Sequence, residues 1–545
     1  MEHTLDALVD RYIETTVEDD PVHATYLGIH DHDGEFAAYD AGAIAERRDH
    51  SAALLRDLEG LPAEGLTPDE QIDRAALASR LRTDLFEHDE LGVYQRDPTV
   101  YLMTALSGCH MLIARDFAPV EDRARSFASR LERVADVLTS MRRNLIRPPT
   151  VFAESGAEMA AAGAAFVKTV TPRLADAAPP IRPVLERGMA AAGEAFESAA
   201  EYLRERVHDR ARPFEIGRER YDWLLRESHL LAFGSDELRA MGVAAVRDTR
   251  ARMKELAAEI GPDKDWLEIL EDLKADHPTR EGLREFYASS MERARDFTVE
   301  QDLVTVPAGE QIEVIDTPAF LRGIIPYAAY LPPGPFEKDQ RGLFYVTPVD
   351  ESLSEDDQER QLRGHSVHAI PVVALHEGYP GHHLQLVRAN ASPRKVRRVL
   401  WNNVFCEGWA LYCEEMMRER GFYSDVRTRL GQLKETLWRA ARVIVDVDLQ
   451  RGDMTYEEAI DFMVEEVRLE RVNATAEVKR YTAHPTQPSS YMIGKRAILA
   501  IRKAFEAREG AAFDLKRFHD SLLDLGSIQP SLVRTALGLG GEGRA

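Results

Sequence analysis

Apolar residues recur at helical spacing along almost all of this chain, and that periodicity confines it to a mainly α architecture. Leu5, Leu8, Val9, Tyr12 and Ile13 hold one face of a first segment. Between Asp122 and Leu145, Phe127, Leu131, Val134, Leu138 and Met141 repeat the pattern. Alanine is dense from Glu154 to Ala200, which favours closely packed helices. Pro148-Pro149, Pro179-Pro180, Gly261-Pro262 and Pro332-Pro333 punctuate the segments, because proline has no amide hydrogen to continue a helix. One region departs from the helical period. Leu303 to Pro307, Gln311 to Ile315 and Gly342 to Pro348 are short β-branched or aromatic runs bounded by Gly and Pro. They predict two or three strands of a small antiparallel sheet.

With 44% hydrophobic and 30% charged residues, 545 residues can build a large core, which excludes a disordered chain. Acidic residues outnumber basic ones, 93 to 69, giving a formal charge of -24. That charge argues against nucleic-acid binding and against adhesion to an anionic membrane. The three cysteines, Cys109, Cys406 and Cys413, form no C-x-x-C pair, and the last two lie two helical turns apart, beyond disulfide reach. Neither a basic-apolar leader at the N-terminus nor about 18 consecutive apolar residues is present, so a cytoplasmic protein is the expectation.

Five of the 17 histidines, His365, His368, His376, His382 and His383, fall within 19 residues, where even scattering would leave fewer than one. The core of the cluster reads Val372-Val-Ala-Leu-His376-Glu377-Gly-Tyr-Pro-Gly-His382-His383-Leu-Gln. A His-Glu pair closing an apolar helical run is the start of an H-E-x-x-H zinc helix, in which histidines at i and i+4 bind the ion and the Glu acts as base. Here position i+4 is Pro380, and the next histidines stand at i+6 and i+7. On an unbroken helix, i+6 points about 120° away, and i+7 lies about 10.5 Å along the axis. Pro380 and Gly381 make a bulge reasonable, and two looped-out residues return His382 to the place of the usual second ligand. The reading therefore favours His382, with His383 as the alternative.

A third ligand is expected from the segment Phe405-Cys-Glu407-Gly-Trp-Ala-Leu-Tyr-Cys-Glu414-Glu415, on a helix from about Lys395 to Arg420 that ends at Gly421. Glu407 interrupts the apolar stripe Leu400, Val404, Leu411, and a core-facing acid must be paired, protonated or bound to a metal. Ala391-Ser-Pro-Arg reads as the turn of a helix hairpin. At 1.5 Å per residue, about 13 Å separates His382 from that turn and about 18 Å separates the turn from Glu407, which brings the carboxylate roughly level with the histidines. Two imidazoles and one carboxylate are the protein ligands of a catalytic zinc, and Glu377 is then the base. The chain divides on this reading into a helical region, 1–295, and a metal-binding catalytic region, 296–545, unless both form one helical domain with a cleft. His365 and His368 read as structural or cleft-lining residues, and Arg480 as a salt-bridge partner, with capture of a substrate carboxylate as the alternative.

H-E-G-Y-P-G-H-H-L-Q followed by E-G-W-A-L-Y-C-E resembles the DUF885 family of bacterial and archaeal proteins, within the wider gluzincin group of HE…H…E metallopeptidases. Pro21-x-x-Ala24-Thr25-x-x-Gly28 is similar to its opening signature, and Arg480-Tyr481 with Ser490-Tyr491-x-x-Gly494 to a later block. Where the family usually has Pro-Gly-Gln-Ala, this chain has Pro485-Thr486-Gln487-Pro488. The resemblance implies a large helical gluzincin-type fold with a small antiparallel sheet beside the active-site helices. It further implies one zinc ion on His376, His382 and Glu407, and Glu377 as general base. Glu414 is then a carboxylate orienting a ligand histidine, and Tyr491 a hydroxyl aimed at the developing oxyanion. The Gly342 to Pro348 strand is expected to hold an extended peptide at the sheet edge. The expected function is a zinc-dependent peptidase for short peptides. The alternatives are a metal-dependent non-peptide amidase and a non-catalytic binding protein on a peptidase scaffold.

Overall fold

The segment with the clearest apolar stripe is a single helix, Val120–Asn144, and Phe127, Leu131, Val134, Leu138 and Met141 are all buried on it. The computed structural model describes residues 4–540 except 207–211, 319–321, 323, 324 and 326. Two compact units result, one of residues 1–216 with 334–339, the other of residues 217–333 with 340–545.

The first unit is helical. The alanine-rich stretch forms two long helices, Thr150–Ala177 and Arg182–Arg206, which pack along each other with small residues at the contact. Arg130, fully buried, donates to the carbonyls of Glu35 and Pro21 and to the Thr25 hydroxyl, at 3.1, 3.2 and 2.8 Å. The Pro21-to-Gly28 signature is therefore a scaffold that satisfies a buried guanidinium, which would otherwise be costly to desolvate.

At the centre of the second unit runs Val426–Arg451, a helix with buried residues on nearly every side, from Leu430 and Leu433 to Val447 and Leu449. Ser235–Ile260 and Gln487–Glu509 pack against it. The latter also crosses Asn403–Glu419 at very short range. There a side chain on Gly408 would meet the Gly494 Cα at 2.3 Å, and one on Gly494 would meet the Val404 carbonyl at 1.8 Å. Only two glycines permit this crossing, and it is what brings Tyr491 to Glu407.

The sheet differs from expectation. Its strands are β1 (Gln311–Asp316), β2 (Ala328–Leu331) and β3 (Arg341–Val346), in the order β1-β3-β2. β1 pairs with β3 in parallel and β2 with β3 antiparallel, so the sheet is mixed. Leu303 to Pro307 forms no strand: Leu303 and Val304 are simply buried, and the short β2 takes the third place. β3 is the central strand, paired on both sides, so it has no free edge for a peptide.

Candidate metal centre

The apolar run from Ile370 to Glu377 is helical and stops there. A second helix, His382–Asn390, begins after a four-residue gap that contains a cis Tyr379-Pro380 peptide. The expected bulge within one helix is thus a complete break. Gly381 lies so close to the end of the first helix that a Cβ on it would sit 1.9 Å from the His376 carbonyl oxygen, and its amide donates to the Leu375 carbonyl at 3.1 Å. Trp409 locks the break against the Glu407 helix, its indole N–H donating to the Pro380 carbonyl at 2.8 Å. Freed from the first helix axis, His382 turns back to His376, their ring centroids 4.9 Å apart and nearly perpendicular.

His376, His382 and Glu407 each offer one ligand atom, and these atoms all lie within 4.8 Å of one another. Ligands at about 2.0–2.1 Å from a tetrahedral zinc stand roughly 3.4 Å apart. The His382 Nε2 to Glu407 Oε2 edge is 3.3 Å, so two of the three donors already hold that spacing. His376 Nδ1 is tied to Glu414 Oε1 at 2.8 Å, which leaves Nε2 for an ion. Gln432 steadies Glu414 in turn, donating to Oε2 at 3.3 Å. The His382 Nδ1 has no such anchor and is buried without a partner. The donor set, its spacing and the tethered tautomer of His376 fit a divalent cation.

The electrostatics agree. Burial alone would raise the Glu407 carboxyl, but hydrogen bonding and charge from His382, with help from His376 and the Tyr491 hydroxyl, hold it at about 2. Burial alone would lower His382, yet the carboxylates of Glu407 and Glu377 keep it above its ordinary value. Histidine and carboxylate therefore share a proton where an ion would replace it.

His383, the alternative ligand, faces away. Its Nε2 meets Glu310 Oε2 at 2.9 Å and its Nδ1 meets the Tyr330 hydroxyl at 2.9 Å. Glu377 follows His376 directly in the chain, and its carboxylate is among the charges that raise His382. Tyr491 is held by the Arg442 guanidinium 4.9 Å over its ring, and burial followed by the Glu407 charge raises its pKa, so its hydroxyl stays a donor. His365 and His368 lie apart from the triad, on Tyr287 at 3.1 Å and on Asp276 at 3.2 Å. Arg480 binds Glu477 at 3.1 Å.

The family of bacterial proteins of unknown function designated DUF885 matches residues 21–537, almost the entire chain. The chain belongs to DUF885. Two solved structures share the fold of this DUF885 protein. One, described as "a putative lipoprotein of unknown function from Shewanella oneidensis", has a TM-score of 0.80 and 24% identity, with 97% of this chain and 99% of that one covered. The other, described as "the putative lipoprotein from Colwellia psychrerythraea", has a TM-score of 0.84 and 19% identity, with 98% of each chain covered. No curated protein matches the sequence. In this DUF885 chain, no helix among the described residues is long and apolar enough to cross a membrane.

Two groups escaped the sequence reading. Gln487 donates to Glu407 Oε1 at 3.3 Å and accepts from Arg480 at 2.7 Å, so the later family block reaches the His376, His382 and Glu407 cluster through a glutamine. The residue before it, Thr486, has φ +70, the left-handed conformation that explains a glycine at this place in the family. The second group is Glu310, which also accepts from Tyr379, and from Arg295 at 3.1 Å. Its only sequence signal was an acid beside a strand, which is too common to single out.

Proposed function

We propose that this DUF885 protein is a zinc-dependent hydrolase, a peptidase acting on short peptides. The observation that carries the reading is the convergence of His376, His382 and Glu407 within 4.8 Å, with Glu414 fixing the tautomer of His376. A zinc ion on these three residues would supply an acidified water and a polarised substrate carbonyl. Glu377, beside His382 but outside the ligand set, takes the proton from the attacking water and returns it to the leaving amine nitrogen. Tyr491, kept protonated by burial, donates its O–H to the charge that develops on the carbonyl oxygen. Gln487 and Arg480 fix the Glu407 carboxylate from the other side.

Digestion of a peptide library by the zinc-loaded protein tests the proposal, with Glu377→Gln as control. Cleavage by the native chain and none by the variant supports a peptidase. Hydrolysis only of non-peptide amides moves the reading to an amidase, and stoichiometric zinc without any hydrolysis moves it to a binding protein. A cytoplasmic location is part of the same proposal, and the three cysteines, free and buried, are compatible with a reducing compartment. Two relatives in fold are described as lipoproteins, and fractionation of the native host decides between the two locations.

A further inference from the structure

Behind the metal centre, on the far face of the helix that carries Tyr491, lies a cavity of about 470 Å³. At 100° per residue, Met492, Arg496 and Ala500 leave this helix at about 100°, 140° and 180° from Tyr491, so the two sites share the helix but not its face. The cavity volume falls within the roughly 300–1,000 Å³ typical of small-molecule sites. Leu230, Phe233, Leu238, Met241 and Ile501 make most of its wall apolar.

Its polar groups are few and unbalanced. Arg496 and Arg534 line it, and neither has a carboxylate partner among the described residues, although Arg534 donates to the Leu539 and Gly540 carbonyls at 3.3 and 3.2 Å. Glu237 is the one acid in the lining. The Ser531 hydroxyl, also in the lining, is buried with no hydrogen-bond partner. An unmet hydroxyl and two guanidiniums free of carboxylates, in a chain of charge -24, complement an anionic head group. The apolar wall complements a hydrocarbon tail. Leu230 holds φ +54, a conformation a branched residue adopts only when its surroundings impose it, and such outliers gather at binding sites.

We propose that this cavity binds a free medium-chain alkyl carboxylate, its carboxylate at Arg496, Arg534 and Ser531 and its tail against Leu238 and Met241. The site is independent of the metal and of hydrolysis.

Isothermal titration of the full chain with decanoate tests it, with decanol as a neutral analogue of the same length. Saturable binding of decanoate is expected, with decanol at least tenfold weaker. Arg496→Glu, an exposed substitution that leaves the core untouched, should weaken decanoate at least tenfold, and Ala497→Trp, which fills the cavity, should abolish it. Absence of decanoate binding at millimolar concentration, equal affinity for decanol, or unchanged binding by Ala497→Trp would each overturn the proposal.

Discussion

The His376 imidazole and the Glu414 carboxylate form a 2.8 Å hydrogen bond in which both side chains are almost wholly buried, at 6% and 1% exposure. The bond spans two helices that meet only through tertiary packing. A neutral amide at position 414 keeps the shape but lets the imidazole choose either tautomer. Glu414→Gln is predicted to weaken zinc affinity 10–100-fold, in line with the usual effect of losing a histidine's outer partner. Competition against a chromogenic chelator reads this directly, and an unchanged affinity would show that Glu414 merely fills space.

Glu377 separates binding from chemistry. Glu377→Gln should retain one zinc per chain by elemental analysis while peptide turnover falls by roughly 10²–10⁴, the typical contribution of a general base. Loss of the metal together with activity would instead make Glu377 a ligand.

Trp409 is fully buried, and its one polar atom holds Pro380 in the break between the two histidine helices. Trp409→Phe leaves that carbonyl only the weak Cys413 thiol as donor, at 3.7 Å, at a cost of about 1 kcal/mol. Chemical denaturation should register the destabilisation. Zinc affinity should fall with it, because the break is what turns His382 towards His376.

Acid should destabilise the fold well above the carboxylate range. Burial lowers His110, His229, His365 and His519 to about 4 each. Each is neutral when folded and takes up a proton near its ordinary 6.5 when unfolded. The stability these groups contribute is complete above pH 6.5 and is lost as the pH falls towards 4, by up to roughly 3 kcal/mol apiece. Asp446, raised to about 6 by burial, works the other way and offsets part of the loss. Melting temperatures measured without metal from pH 7 to pH 4.5 should fall steadily, and a flat profile would contradict the burial of neutral imidazoles.

The parts of this molecule legible in its sequence are those set by local rules. Helical period placed Val120–Asn144, and Gly421, at φ +86, sits just past the helix end as anticipated. The core-facing acid Glu407 was legible because an unpaired charge in an apolar stripe demands a partner. What could not be read depends on distant contacts. The break at Gly378 to Gly381 is imposed by Trp409 and by the close approach of Gly381 to His376, neither of which a helical wheel contains. His383 was a plausible ligand until Glu310, 73 residues earlier, claimed it. The parallel pairing of β1 with β3 was hidden for a similar reason: the chain between them detours through β2, and short strands carry no mark of their direction.

The central claim is that two imidazoles from two separate helices and a carboxylate from a third grip one divalent ion. Anomalous diffraction from zinc-soaked crystals, recorded on both sides of the zinc absorption edge, tests it most directly. The account predicts a single strong peak about 2.0–2.2 Å from His376, His382 and Glu407, absent in His376→Ala. No peak among those side chains, with His382 hydrogen-bonded only to Glu407, would contradict it.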